Sequence, residues 1–171
     1  MQQVLSRAFG AFSRRRFFTG LSLLAATAIT ACGGSNVRRE KTFRVSKTED
    51  EWQRKLTREE FRVLRKAGTE RAYTSPLNAE KRAGTYVCAG CANPVYSAAH
   101  KYDSGTGWPS FYKAIEDGAV GTATDYKIGY PRTEVHCADC GGHLGHIFGD
   151  GPRPTGKRHC INGAALDFIP A

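Results

Sequence analysis

The chain has 171 residues, 40% of them hydrophobic and 24% charged, which suffices for one compact domain with a leader and is too little for a second domain of ordinary size. Its formal charge of +9 would suit nucleic acid, but Arg7, Arg14, Arg15 and Arg16 all precede Cys32, with no acidic residue among them, and carry nearly half of that excess. The basic stretch from Val37 to Lys47 is interrupted by Glu40 and followed by Glu49-Asp50-Glu51, so it reads as a solvated tether and not as an arm for nucleic acid.

Ser13-Arg14-Arg15-Arg16-Phe17-Phe18 stands before an uncharged apolar run from Leu21 to Ala31, the basic-then-apolar pattern of a secretion signal. That run falls well short of the ~20 residues needed to cross a hydrocarbon core, so a permanent transmembrane helix is not expected. Paired arginines after a serine, followed by phenylalanines, resemble the twin-arginine signal that exports folded proteins. Ile29-Thr30-Ala31-Cys32 resembles a lipobox, in which Cys32 becomes the lipidated first residue of the mature chain; ordinary cleavage would leave Cys32 a free thiol. The sequence thus divides into a signal peptide over 1–31, a linker over 32–47 with a possible lipid anchor, and a domain over 48–171. The expected location is the periplasm or cell envelope.

Within the domain, Trp52 and Leu56 are spaced i, i+4, and Thr57-Arg58-Glu59-Glu60 has the form of a capping box ahead of Phe61, Leu64 and Ala67. Two short helices follow, the second ended by Gly68. Beyond Gly84 come brief β-rich pieces, Thr85-Tyr86-Val87, Val95-Tyr96, Thr133-Glu134-Val135 and Leu166-Asp167-Phe168-Ile169, with glycine or proline turns between them. This predicts a small, mainly β domain of antiparallel sheet with a helical N-terminal arm.

Cys88-Ala89-Gly90-Cys91 and Cys137-Ala138-Asp139-Cys140 form two Cys-x-x-Cys knuckles. Four thiolates can close a tetrahedral zinc shell at about 2.3 Å from the metal, leaving no open position for catalysis. Gly141 and Gly142 give the backbone the freedom such a knuckle needs. Disulfides, or one redox-active pair, are the alternatives in an exported protein. One structural zinc per chain is the expectation, with metal affinity contributing to folding.

Cys160 is the cysteine left over, flanked by Lys157, Arg158 and His159, whose positive charge would favour the thiolate. A lone thiol is as readily a buried structural residue. The segments around it decide between the two. His143-Leu144-Gly145-His146-Ile147-Phe148, Asp150-Gly151-Pro152, Pro154-Thr155-Gly156, Arg158-His159-Cys160-Ile161-Asn162 and, upstream, Gly107-Trp108-Pro109-Ser110-Phe111 resemble the zinc-containing B family of methionine sulfoxide reductases. The resemblance runs from about Glu51 to Phe168 and includes both knuckles.

The resemblance implies two small antiparallel sheets in a tent-like arrangement, with the zinc site remote from the active site. It further implies reduction of methionine-R-sulfoxide in oxidised proteins through a Cys160 sulfenic acid, as repair of oxidative damage. His146 and His143 would supply the proton to the departing oxygen, Asn162 would help hold substrate, and Trp108 would pack on the substrate methyl group. Phe148, Arg158 and Asp150 complete the implied substrate site. Three departures stand out. Thr106 occupies the place where many members have a resolving cysteine, His159 that of a tyrosine or phenylalanine, and Gly163 that of a serine. The last two could retune the pocket. Restoring Cys160 then requires a small thiol or thioredoxin-like protein, an unlipidated Cys32, or a partner reductase domain. A zinc-ribbon binding module, or another thiol enzyme such as a peroxidase or disulfide exchanger, is the competing reading; an export leader argues against a nucleic-acid partner.

Overall fold

Both N-terminal helices begin at threonines that cap them reciprocally. In the computed structural model, which describes residues 42–171, helix α1 spans Glu49–Lys55 and helix α2 spans Arg58–Lys66. The leader, Cys32 and most of the linker lie outside the described residues. Thr48 accepts from the Glu51 N–H while the Glu51 carboxylate accepts from the Thr48 N–H, and Thr57 and Glu60 repeat the arrangement. Ala67, not Gly68, takes the left-handed conformation at the end of α2, with φ 47°. Gly68 is needed one residue later for room, since a Cβ there would meet the Arg62 carbonyl oxygen at 2.7 Å. No helix among the described residues is long and apolar enough to cross a membrane.

The rest is antiparallel sheet, as the sequence predicts. Strands β1 (Gly84–Cys88), β2 (Pro94–Ser97) and β9 (Leu166–Pro170) form a three-stranded sheet in the order β2-β1-β9. Strands β3 (Lys101–Tyr102), β4 (Ser110–Phe111), β5 (Val120–Asp125), β6 (Arg132–Cys137), β7 (His143–Phe148) and β8 (Arg158–Ile161) form a six-stranded sheet in the order β3-β4-β8-β7-β6-β5. The fully buried Tyr86 and Tyr96 of the small sheet meet Phe111 of the large one. Tyr96 stacks on Phe111 at 4.3 Å between ring centroids and Tyr86 meets it edge-on at 5.0 Å.

Because side chains alternate along a strand, this contact assigns the faces of the large sheet. Phe111 pairs with His159 in register, and His159 meets Tyr96, whose hydroxyl lies 3.1 Å from His159 Nδ1. His159 therefore belongs to the core face. Its neighbour Cys160 belongs to the other face, in one row with Ser110, His146 and Glu134. His159 cannot retune a pocket on the Cys160 side directly, contrary to the expectation from sequence.

The N-terminal arm is tied to the second knuckle. Arg65 Nη1 donates to the Cys140 carbonyl at 3.0 Å, and Leu64 packs so closely that a Cβ on Gly142 would lie 2.9 Å from it. Phe43 fills the space beside Gly141, whose φ is +67°, and the Val45 N–H donates to the Asp139 carbonyl at 2.8 Å. Residues 43–45, which the sequence assigns to the linker, thus lie against the knuckle.

Burial holds the His159 pKa down to about 4, against about 6.5 in an unfolded chain. A depressed histidine contributes stability that is present above pH 6.5 and lost as pH falls toward 4. His159→Phe should remove that dependence. Urea unfolding at pH 7 and pH 4.5 should show the wild type losing about 2–3 kcal/mol more than the variant between the two pH values. Parallel losses in both proteins would contradict the assignment.

Candidate functional site

Pairing in the large sheet brings together residues far apart in sequence. Cys160 lies opposite His146, and Ile161 opposite Gly145. Gly145 is glycine because a Cβ there would stand 2.0 Å from the Cys160 carbonyl oxygen. A cavity of about 140 Å³ opens on this face, lined by Thr69, Trp108, Arg132, Gly145, His146, Phe148, Cys160 and Asn162. Five sequence-predicted residues, Cys160, His146, Asn162, Trp108 and Phe148, line it. His143 does not, but its ring stands 5.3 Å from that of His146.

Arg158 and Asp150 form a two-point ion pair, with Arg158 Nε and Nη2 donating to the carboxylate at 2.9 and 2.8 Å. The Arg158 guanidinium lies 4.5 Å from the centre of the Phe148 ring. Both residues of the pair border a neighbouring cleft of about 370 Å³ that also includes Thr106, Ser104 and Tyr102.

Burial raises the Cys160 thiol above its ordinary range; the Arg158 charge and the Thr106 hydroxyl oppose this, while Asp150 adds to it. Of the positive flank read from the sequence, Arg158 thus acts on the thiol, whereas His159 points into the core. Thr106 Oγ1 lies 4.0 Å from Cys160 Sγ and ends a chain of hydroxyls. Ser104 Oγ is 2.8 Å from Thr106 and 2.7 Å from Ser110, which donates to the Trp108 carbonyl.

Each histidine is held by a carboxylate absent from the sequence-based list. His146 Nε2 lies 2.8 Å from Asp125, which also receives Arg132 Nη2 at 2.6 Å and the Lys127 N–H at 2.7 Å. These contacts hold the Asp125 carboxyl far below its ordinary range, first through the Lys127 N–H and then through His146. Desolvation lowers the His146 pKa, so its ring is neutral near pH 7, with the Asp125 bond opposing in part. His143 Nδ1 lies 2.6 Å from Glu134, leaving Nε2 buried without a hydrogen-bond partner.

Glu70 joins three parts of the site and was also missed. Its carboxylate accepts the Gly163 and Ala164 N–H groups at 2.6 and 2.8 Å. Its N–H donates to Asn162 Oδ1 at 2.9 Å, and its carbonyl receives the Trp108 indole N–H at 3.2 Å. Asn162 Nδ2 donates in turn to the Leu144 carbonyl at 3.0 Å, so both ends of its amide engage backbone.

The second constellation is the cysteine cluster. Cys88 and Cys91 follow from β1, and Cys137 and Cys140 from β6, so the cluster joins the two sheets. All four sulfurs lie within 4.8 Å of one another, with Cys88 to Cys140 at 3.7 Å and Cys91 to Cys137 at 3.5 Å. A tetrahedron of sulfurs about 2.3 Å from a metal has edges of about 3.8 Å. The cluster can therefore hold a metal ion and is compatible with zinc. None of the five described cysteines forms a disulfide.

The SelR domain model matches residues 56–170. The chain is 51% identical over 126 residues to the peptide methionine sulfoxide reductase MsrB of Leptospira interrogans, covering 74% of this chain and 96% of that protein. It is 52% identical over 127 residues to the MsrB of Pseudomonas putida, with 74% and 96% covered. For the MsrB of Leifsonia xyli the figures are 50% over 129 residues, with 75% and 93% covered.

Glu70→Gln places an amide where two backbone N–H groups need acceptors. The variant should lose about 1–3 kcal/mol in urea unfolding, and the fluorescence of Trp108 should change with it. An unaltered spectrum and midpoint would show that Glu70 does not hold the site together.

Proposed function

Because the chain belongs to the SelR-domain family of peptide methionine sulfoxide reductases, we propose that it reduces the R epimer of the sulfoxide with Cys160 as nucleophile. The activity itself is that of a peptide methionine sulfoxide reductase, and its substrate is methionine sulfoxide in oxidised proteins. The observation that carries the residue assignment is the position of Cys160. It is the one described cysteine outside the metal cluster, and it opens into a pocket with an indole, a phenyl ring and a carboxylate-held imidazole.

The sulfoxide side chain enters with its methyl group against Trp108 and Phe148, whose faces exclude water. Cys160 Sγ attacks the sulfoxide sulfur, and the oxygen leaves methionine and remains on Cys160 as a sulfenic acid. Thiol and sulfoxide become sulfenic acid and thioether, so atoms balance and methionine gains two electrons. The thiol proton has to reach the oxygen. His146, neutral and fixed through Nε2 by Asp125, carries it, and His143 supports His146 from behind. Arg158, held by Asp150, stabilises the thiolate as it forms.

A hydroxyl cannot resolve a sulfenic acid into a disulfide, so with Thr106 beside Cys160 the reductant comes from outside. A small thiol or thioredoxin-like protein condenses with the sulfenic acid, releasing water and leaving a mixed disulfide. A second thiol then frees Cys160. The four-cysteine cluster holds one structural zinc. Its closed ligand set and its place between the sheets support a role in folding and not in turnover. The leader sends the enzyme to the periplasm by the twin-arginine route, with Cys32 as a lipid anchor.

Cys160→Ser should abolish reduction of the R epimer of blocked methionine sulfoxide with dithiothreitol, while metal analysis still finds one zinc per chain. One wild-type turnover without added thiol should leave Cys160 reactive to dimedone. Retained turnover in the serine variant, or a disulfide between Cys160 and a knuckle cysteine, would overturn the mechanism. For the leader, replacing Arg14 and Arg15 by lysine should block export, and mass spectrometry of the mature protein should find acyl chains on Cys32. Export that survives the lysines, or an acyl-free terminus, would refute the corresponding half.

A further inference from the structure

The pocket holds about 140 Å³, room for one side chain, so the backbone and neighbouring residues of a protein substrate must cross the surface outside it. The β5–β6 hairpin extends from that rim. Its strands end in the pair Asp125 and Arg132, of which Arg132 lines the pocket and Asp125 holds His146. The connection over 126–131 then exposes Tyr126 at 67%, Ile128 at 48% and Tyr130 at 59%. These are three of the five large apolar side chains so exposed among the described residues. Concentrating them on one short connection is a cost that a solvated hairpin does not require.

The connection is braced. The Gly129 N–H donates to the Tyr126 carbonyl at 3.0 Å, and Lys127 Nζ donates to the Ala67 carbonyl at 2.9 Å, just before the pocket-lining Thr69. A fourth exposed apolar side chain, Tyr73, is fixed to the loop that carries Trp108. Its N–H donates to the Gly107 carbonyl at 2.8 Å and its hydroxyl to the Gly105 carbonyl at 2.6 Å. Four of the five exposed apolar groups thus stand on segments that build the pocket.

We infer that the β5–β6 connection is a docking surface for the substrate polypeptide, on which Tyr126, Ile128 and Tyr130 grip apolar side chains flanking the methionine sulfoxide. The occupant follows from continuity: a chain whose oxidised methionine enters the pocket must pass over its rim, and the hairpin continues that rim with aromatic and aliphatic surface. The enzyme is then selective for sulfoxides in apolar sequence contexts. The inference rests on the assignment of the pocket as the methionine sulfoxide site.

The test compares kcat/KM, with dithiothreitol, for blocked methionine-R-sulfoxide and two pentapeptides with the sulfoxide at their centre. One peptide has leucine and phenylalanine flanks, the other glycine and serine. The full chain is assayed as wild type and as Tyr126→Ser/Ile128→Ser/Tyr130→Ser. The wild type should favour the apolar peptide by about tenfold, as burial of one or two flanking side chains implies. The triple variant should lose that preference and turn over the blocked amino acid within about twofold of wild type, a difference too small to signal a lost contact. Equal rates on the two peptides in the wild type, or a preference that survives the substitutions, would overturn the proposal. So would an equal loss on all three substrates, which would make the hairpin a support for His146. A variant that only converts a dimer to a monomer in sedimentation, with peptide preference intact, would assign the surface to a second copy of the chain. Failure of the wild type to reduce the blocked amino acid would instead refute the assignment of the pocket.

Discussion

The site depends on the register of β8 between β4 and β7. In that register Cys160 stands in one row with Ser110 and His146, on the face away from Tyr96. A slip of one residue would turn every side chain of β8 to the opposite face, sending Cys160 into the aromatic core and His159 into the pocket. Several contacts oppose the slip. Gly145 admits the Cys160 carbonyl, the Ile161 N–H donates to the Pro109 carbonyl, and the Asn162 N–H and amide both reach the Leu144 carbonyl. The pocket is thus fixed by backbone pairing before any of its polar side chains is oriented.

The elements legible in the sequence were those with local causes. The capping box at Thr57, the four β-rich pieces and the two knuckles each declare themselves within a few residues, and the structure has helices, strands and a sulfur cluster there. What escaped was built from distant contacts. Asp125 lies 21 residues from His146, and Glu70 lies 92 from Asn162, and no periodicity or motif links either pair. The flanking charges at Cys160 misled for a definite reason: neighbours in a strand point to opposite faces, so adjacency in sequence separated His159 from the thiol.

The metal cluster and the pocket share no residue, yet β7 connects them. Its first residue, His143, follows the Cys140 turn closely, and His146 lies one row further along. The cluster fixes where that strand begins, and Asp125 and Glu134 fix which way its imidazoles face. Between the two, the thiol is subject to opposed influences. Burial favours the neutral form and Arg158 the anion, so Cys160 is half-buried while its ionisation stays within reach of the charge beside it.

Gly163 and Ser75 are coupled in a way that bears on how such a site can change over generations. A Cβ on Gly163 would fall 1.9 Å from Ser75 Oγ and 2.4 Å from Ser75 Cβ, beside the Glu70 carboxylate. The small serine side chain therefore occupies the volume that a larger residue at 163 would use. Neither position is free to vary by itself: a side chain can appear at 163 only after 75 has lost its own. The reverse order would pass through an intermediate that disturbs Glu70, and with it Asn162 and Trp108. The accessible mutational route is consequently directional, and what a substitution at 163 costs depends on the residue at 75.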